Sequence, residues 1–217
     1  MTNLPAMKNS YAIRLALALL CGALLLAGCA APGANPALAN LYDLGPLPAA
    51  ADATATGTAT QRTIAVSVAE VTPSAWLDSP LMFYRLLYAN AQQQRAYAQQ
   101  RWIMQPAELF GQRLKARIVQ SGGVAASAVD GPANLSLLRI EADDFTHVFE
   151  SPEKSYGSIA LRASLYNGRA LIAQKSFAAR TPASSNDAAG GARALAVASD
   201  AVIADVLTWL ASQPLKR

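Results

Sequence analysis

Residues 157–179 read GSIALRASLYNGRALIAQKSFAA, and this stretch constrains the fold more tightly than any other. In its first arm Ile159, Leu161, Ala163 and Leu165 alternate with polar or small residues, among them Ser158, Arg162 and Ser164. A period of two places the apolar set on one face of a β-strand. Asn167-Gly168 follows at once, and this dipeptide tolerates the positive φ that a two-residue hairpin turn demands. The arm that follows must therefore fold back. With LSLLRIEADDFTHVFE at 135–150, where Leu138, Ile140 and Ala142 share one side, a three-stranded antiparallel section is expected.

The remaining elements are read around that section. Ile64, Val66 and Val68 alternate in a half-buried strand that Pro73 ends, and Trp76-Leu77 follows in a loop. LMFYRLLY at 81–88 is dense in aromatic and branched residues, as strands are; after the polar ANAQQQR, AYAQQRWIM returns as a second arm. Pro106 opens a helix with Glu108 in its first turn, Phe110, Leu114 and Ile118 on one face, and Ser121-Gly122-Gly123 as the stop. TPASSNDAAGGA reads as a flexible polar loop. A long helix from about Arg193 to Ser212 follows, burying Leu195, Val202, Ile203, Val206, Trp209 and Leu210. Strands in runs with two helices define an α+β fold: one domain, a mostly antiparallel sheet, two main helices on one face.

Ahead of the domain the chain changes character. Lys8 and Arg14 are its early charges, no carboxylate side chain occurs before Asp43, and Leu15 to Ala27 is apolar. This is the pattern of a secretory signal peptide, too short for a comfortable membrane span of about 20 residues. Leu26-Ala27-Gly28-Cys29 matches the lipobox at all four positions, which implies a diacylglycerol on the Cys29 sulfur, cleavage before Cys29 and a further acyl group such as palmitate on the new amine. Residues 1–28 are then the signal peptide. Residues 29–62, rich in Ala, Pro, Thr and Gly, are a lipidated tether and linker with a short strand near 41–45 that buries Leu41 and Leu44; residues 63–213 are the domain. Ala30, where an Asp would retain the protein at the inner membrane, points to the outer membrane facing the periplasm.

Cleavage leaves Cys29 as the only cysteine, so neither a disulfide nor a thiolate zinc site is available. The formal charge of +4 falls by two with Lys8 and Arg14, and no basic stripe with interleaved aromatics exists to hold nucleic acid.

The order of several short motifs carries further information. YDLGP stands at 42–46, Trp76-Leu77-Asp78 precedes Tyr84-Arg85, and Tyr97, Arg101-Trp102 and Pro106-Ala107 lead into a helix with Gln112-Arg113-Leu114; Asp205 and Trp209 close the series. The set resembles the ABC-type transport auxiliary lipoprotein family, to which paraquat-inducible protein C belongs. The resemblance implies an accessory lipoprotein of a transporter carrying a mammalian-cell-entry (MCE) domain protein, in which lipids move between two membranes. An inner-membrane ATPase and permease are the implied partners, and the lipoprotein docks the bridging MCE protein, with a homo-oligomeric ring as the matching assembly. Hydrolysis falls to another subunit, in keeping with the lack of a GxxxxGK[ST] motif here.

Catalytic alternatives are thin. His147 is the one histidine, there is no G-x-S-x-G elbow, and a surface or strand-end position is the expectation for it. Glu141, Asp143, Asp144, Glu150 and Glu153 read as a solvated strand edge rather than a metal site. No catalytic residue, metal or cofactor is expected. The candidate contacts to a partner or a lipid are Trp76, Leu77, Tyr84, Arg85 and Trp102, with most of the aromatic-rich set of residues 76–102 expected in the core. A stand-alone lipid- or ligand-binding lipoprotein is the alternative function.

Overall fold

The computed structural model describes residues 38–49, 63–129 and 134–216. The lipobox, Leu26 to Cys29, lies outside the described residues. The described chain forms β1 (Asn40–Tyr42), β2 (Ala65–Val68), β3 (Thr72–Pro73), a 3-10 turn (Ala75–Leu77), β4 (Leu81–Leu86), β5 (Gln94–Trp102), α1 (Pro106–Gln120), β6 (Val124–Ser127), β7 (Ser136–Ser151), β8 (Lys154–Asn167), β9 (Ala170–Pro182) and α2 (Ala188–Ala211). The architecture is α+β, with the strands in one sheet and both helices on one face of it.

The expected hairpin is present. β8 and β9 run antiparallel in register from Tyr156↔Pro182 to Asn167↔Ala170, and Gly168 sits at φ 63°. β7 pairs antiparallel with β8 along almost its whole length. The pairing on the other side of β7 is parallel: β2 and β3 flank its first half and β4 its second. β2 lies between β6 and β7, so Val66, Ser67 and Val68 are all buried. It is a two-face-buried parallel strand rather than the half-buried one its alternation predicts. β7 is likewise central, which removes the expected strand edge beneath the acidic residues: Glu141 pairs with Arg162 of β8, and Asp144 accepts from Thr146 and Ser158.

One irregularity in β7 decides which side chains share a face. Leu138, Ile140 and Ala142 oppose Leu165, Ala163 and Leu161; a bulge at Ala142/Asp144 then inserts a residue, and Phe145, His147 and Phe149 take over that face. A bulge shifts the alternation by one. His147 is therefore fully buried in mid-strand, contrary to the expected surface position.

α1 runs from Pro106 at its first position to Gln120 and buries Phe110, Leu114 and Ile118, as its spacing predicts. α2 begins at Ala188, five residues before the expected start, because the Asp187 carboxylate accepts from the Gly190 N–H at 2.7 Å and caps the helix. Its length and apolarity are those of a membrane-crossing helix, but half of that stretch is buried inside the fold. Leu195, Val202, Ile203, Val206 and Leu210 are sealed against the sheet, each burial contributing about 1.5–3 kcal/mol. The sheet approaches α2 closely at Gly157, where a Cβ would lie 2.7 Å from the Leu195 nitrogen.

Near the start of the described chain, β1 pairs parallel with the end of β5. Leu44 is buried as expected, whereas Leu41 is 63% exposed, because the edge strand β1 turns it away from the core. The chain then crosses α1. Arg113 Nη1 donates to the Gly45 carbonyl at 3.0 Å, and Arg117 and Gln120 donate to that of Pro48.

Candidate functional site

Five residues were singled out from the sequence, and the structure separates them. Leu77 and Trp102 are each 1% exposed. Trp102 stands edge-on to Phe145 in the core, and Leu77 points inward from the 3-10 turn. Neither offers surface to a partner. Trp76 and Arg85 come together on the face turned away from the helices, while Tyr84, one residue along β4, points to the helix side.

The outward set is built on the β7 bulge. Ser74 donates both its N–H and its hydroxyl to the Ala142 carbonyl, which fixes the turn that carries Trp76. The indole, 36% exposed, stands edge-on to Phe83 with centroids 5.3 Å apart. Two residues on, Arg85 donates twice to the Gln94 side-chain oxygen at 3.0 and 2.8 Å. Gln94 donates to Thr146 Oγ1, and Thr146 and Ser158 donate to the Asp144 carboxylate at 2.5 and 2.8 Å. A polar chain thus crosses β4, β5, β7 and β8. It holds Arg85 against the sheet beside the aromatic pair, so the guanidinium is pre-ordered.

The inward set is a buried aromatic cluster beneath the start of α2. The Tyr97 hydroxyl and His147 Nδ1 share a 2.9 Å hydrogen bond, and Nε2 has no partner among the described residues. The His147 ring packs on Phe149 with centroids 4.4 Å apart, and Tyr84 packs on Tyr97 at 4.6 Å. Burial pulls His147 from 6.5 down to about 4, with Asp187 opposing, and burial pushes Tyr97 upward. The cluster holds neutral groups at neutral pH.

That neutrality has a measurable cost in acid. The folded ring binds a proton less readily than the unfolded one, so stability is complete above 6.5 and falls between 6.5 and about 4. The loss should reach about 2–3 kcal/mol at the lower end. Urea midpoints at pH 7 and pH 4.5 should differ by more in the native chain than in His147→Gln. Equal differences would mean that the ring does not titrate in this window.

Arg113 was legible in the sequence only as part of the Gln112-Arg113-Leu114 motif, yet it is the second ordered cation. Its guanidinium grips Asp200 of α2 through Nε at 2.9 Å and Nη2 at 2.7 Å, with the arginine side chain 6% exposed. The available signal was the company it keeps. Arg113 and the YDLGP stretch belong to the same ordered motif series, and they meet at the Gly45 carbonyl.

The largest of the described cavities, about 510 Å³ between the β2–β3 connection and α1, is open and has Glu70, Asp78, Glu108 and Lys115 among its lining residues. No group of three or more histidine, cysteine or acidic residues gathers to hold a metal among the described residues.

This architecture is shared with solved structures. A Xanthomonas campestris protein of the DUF330 family superposes with a TM-score of 0.65 at 19% identity, covering 79% of this chain and 94% of that one. A second crystal structure, of an uncharacterized protein, gives 0.62 at 15% identity, covering 80% and 99%. Both likenesses are of fold. A family model described as ABC-type transport auxiliary lipoprotein component matches residues 42–206, and the chain belongs to that family. No curated protein matches it.

Proposed function

We propose that this lipoprotein is an outer-membrane accessory of an MCE-type lipid transporter, and that it docks or stabilises the component spanning the periplasm without catalysing a reaction itself. The observation that carries this reading is the Trp76–Phe83–Arg85 set. Tryptophan and arginine are enriched at interface hot spots, and here both are fixed in place on a face the helices leave uncovered. Family membership supplies the ABC transporter. The burial of the single histidine beneath α2 supports a non-catalytic role. Docking is favoured over a stand-alone lipid carrier because the largest described cavity is open and carries four charged side chains among its lining residues, where an acyl chain needs enclosing apolar walls.

Two substitutions test the reading. Trp76→Ala should weaken co-purification of the MCE protein under mild detergent by roughly tenfold, while the melting temperature falls by only about 2–4 °C. Undiminished co-purification would refute the docking face. Cys29→Ala should leave a soluble or mislocalised precursor, and normal outer-membrane fractionation of that variant would refute the tether.

A further inference from the structure

Residues 30–39 are the only ones between the acylated Cys29 and β1. Eleven backbone steps span at most about 40 Å, so the domain is held close to the bilayer through β1. The surroundings of β1 are not polar throughout. Leu41 is 63% exposed and Ile103 49%. Leu41 and Ile103 line one shallow groove of about 360 Å³ together with Asp43, Arg193 and three alanines of α2. A second cation belongs to the same place, since Arg101 of β5 is the register partner of Leu41.

Single exposed leucines are ordinary. Two adjoining exposed aliphatic side chains beside the strand that follows a lipid tether, with arginines next to them, form an arrangement that suits one surroundings well. Apolar side chains enter the boundary between headgroups and acyl chains, while cations sit at the level of the phosphates. We infer that the Leu41–Ile103 patch rests on the lipid bilayer, so that the acyl anchor and this patch together orient the domain at the membrane surface. The inference rests on the acylation of Cys29 proposed above. It gives the protein two working regions: an aliphatic one beside β1 for lipid, and the Trp76–Arg85 set for a protein.

The test uses the full mature lipoprotein in phosphatidylethanolamine–phosphatidylglycerol vesicles. With Cys29 acylated, a cysteine placed by Leu41→Cys, Ile103→Cys or Leu171→Cys is the only free thiol and takes an environment-sensitive nitrobenzoxadiazole label. Leu171 is 52% exposed on β9, which shares no ladder with β1, and serves as the control. Lipids bearing a nitroxide near the headgroup should quench the probes at 41 and 103 at least about twofold more than the probe at 171. Adding Leu41→Glu should lower the quenching at 103 while the protein still floats with the vesicles. Equal quenching at all three positions in floating protein would overturn the inference and leave the anchor standing. Protein that neither floats nor carries acyl mass would remove the anchor and the inference together. A concentration-dependent blue shift at 41 in lipid-free detergent would assign the patch to a second copy instead, which also overturns it.

Discussion

Asp200→Ala should destabilise the domain by about 3–5 kcal/mol, the cost of leaving a buried charge without its partner. Arg113 is 6% exposed at the side chain and holds both carboxylate oxygens of Asp200. Removing the acid strands a guanidinium between α1 and α2. The effect extends past the two helices, because Nη1 of the same arginine donates to the Gly45 carbonyl. Residues 40–48 should accordingly exchange their amide hydrogens faster in the variant than in the native chain. The double variant Arg113→Met with Asp200→Leu should regain much of the loss, since a packed apolar pair avoids the desolvation penalty altogether. Chemical denaturation of the three proteins checks this. A native-like midpoint for Asp200→Ala would show that the pair contributes little.

Gly191→Ala runs against the usual sign. In a helix interior, alanine in place of glycine is worth about 1 kcal/mol of added stability. Here the new methyl would fall on the His147 ring, inside contact distance of Nδ1 and Cγ. The ring has nowhere to go. Its strand is registered between Tyr84 and Gly157, and the ring itself is held by Tyr97 and Phe149. The start of α2 must lift instead, and we expect a loss of about 2–3 kcal/mol, or roughly 5–10 °C in melting temperature. A double-mutant cycle isolates the cause. In a His147→Ala background, Gly191→Ala should cost nothing or stabilise. A stabilising Gly191→Ala in the native background would mean that the two groups do not meet.

Both predictions concern contacts that no local pattern announces. The β8–β9 hairpin was legible because its information lies within 23 consecutive residues: alternation, a turn dipeptide, alternation again. The helices were legible for the same reason, apart from the early start of α2, where Ala188 to Ala192 looked like loop until Asp187 was seen to cap them. The parallel neighbours of β7 were not. A strand's sequence records whether its faces are buried, not which distant strand lies beside it. The bulge was half visible: Phe145 and Phe149 sit one residue out of step with Leu138 and Ile140. That phase slip was the available clue that His147 turns inward.

The same distinction applies to the candidate site. Aromatic and arginine residues crowd positions 76–102 in the sequence, but neighbouring residues of one strand serve opposite faces. Tyr84 closes over Tyr97 near His147, and Arg85 joins the outer polar chain. Trp76 and Leu77, adjacent in one turn, divide between surface and core.

By itself the sequence determined the hairpin, the two helices and the class of fold, because each depends on residue types within a few positions of one another. The tertiary structure alone decided which aromatics reach solvent, that the one histidine is buried and neutral, and that Arg113 ties the entering strand to both helices. These follow from the close packing of segments far apart in the chain, where a single inserted residue in β7 sets which side chains meet.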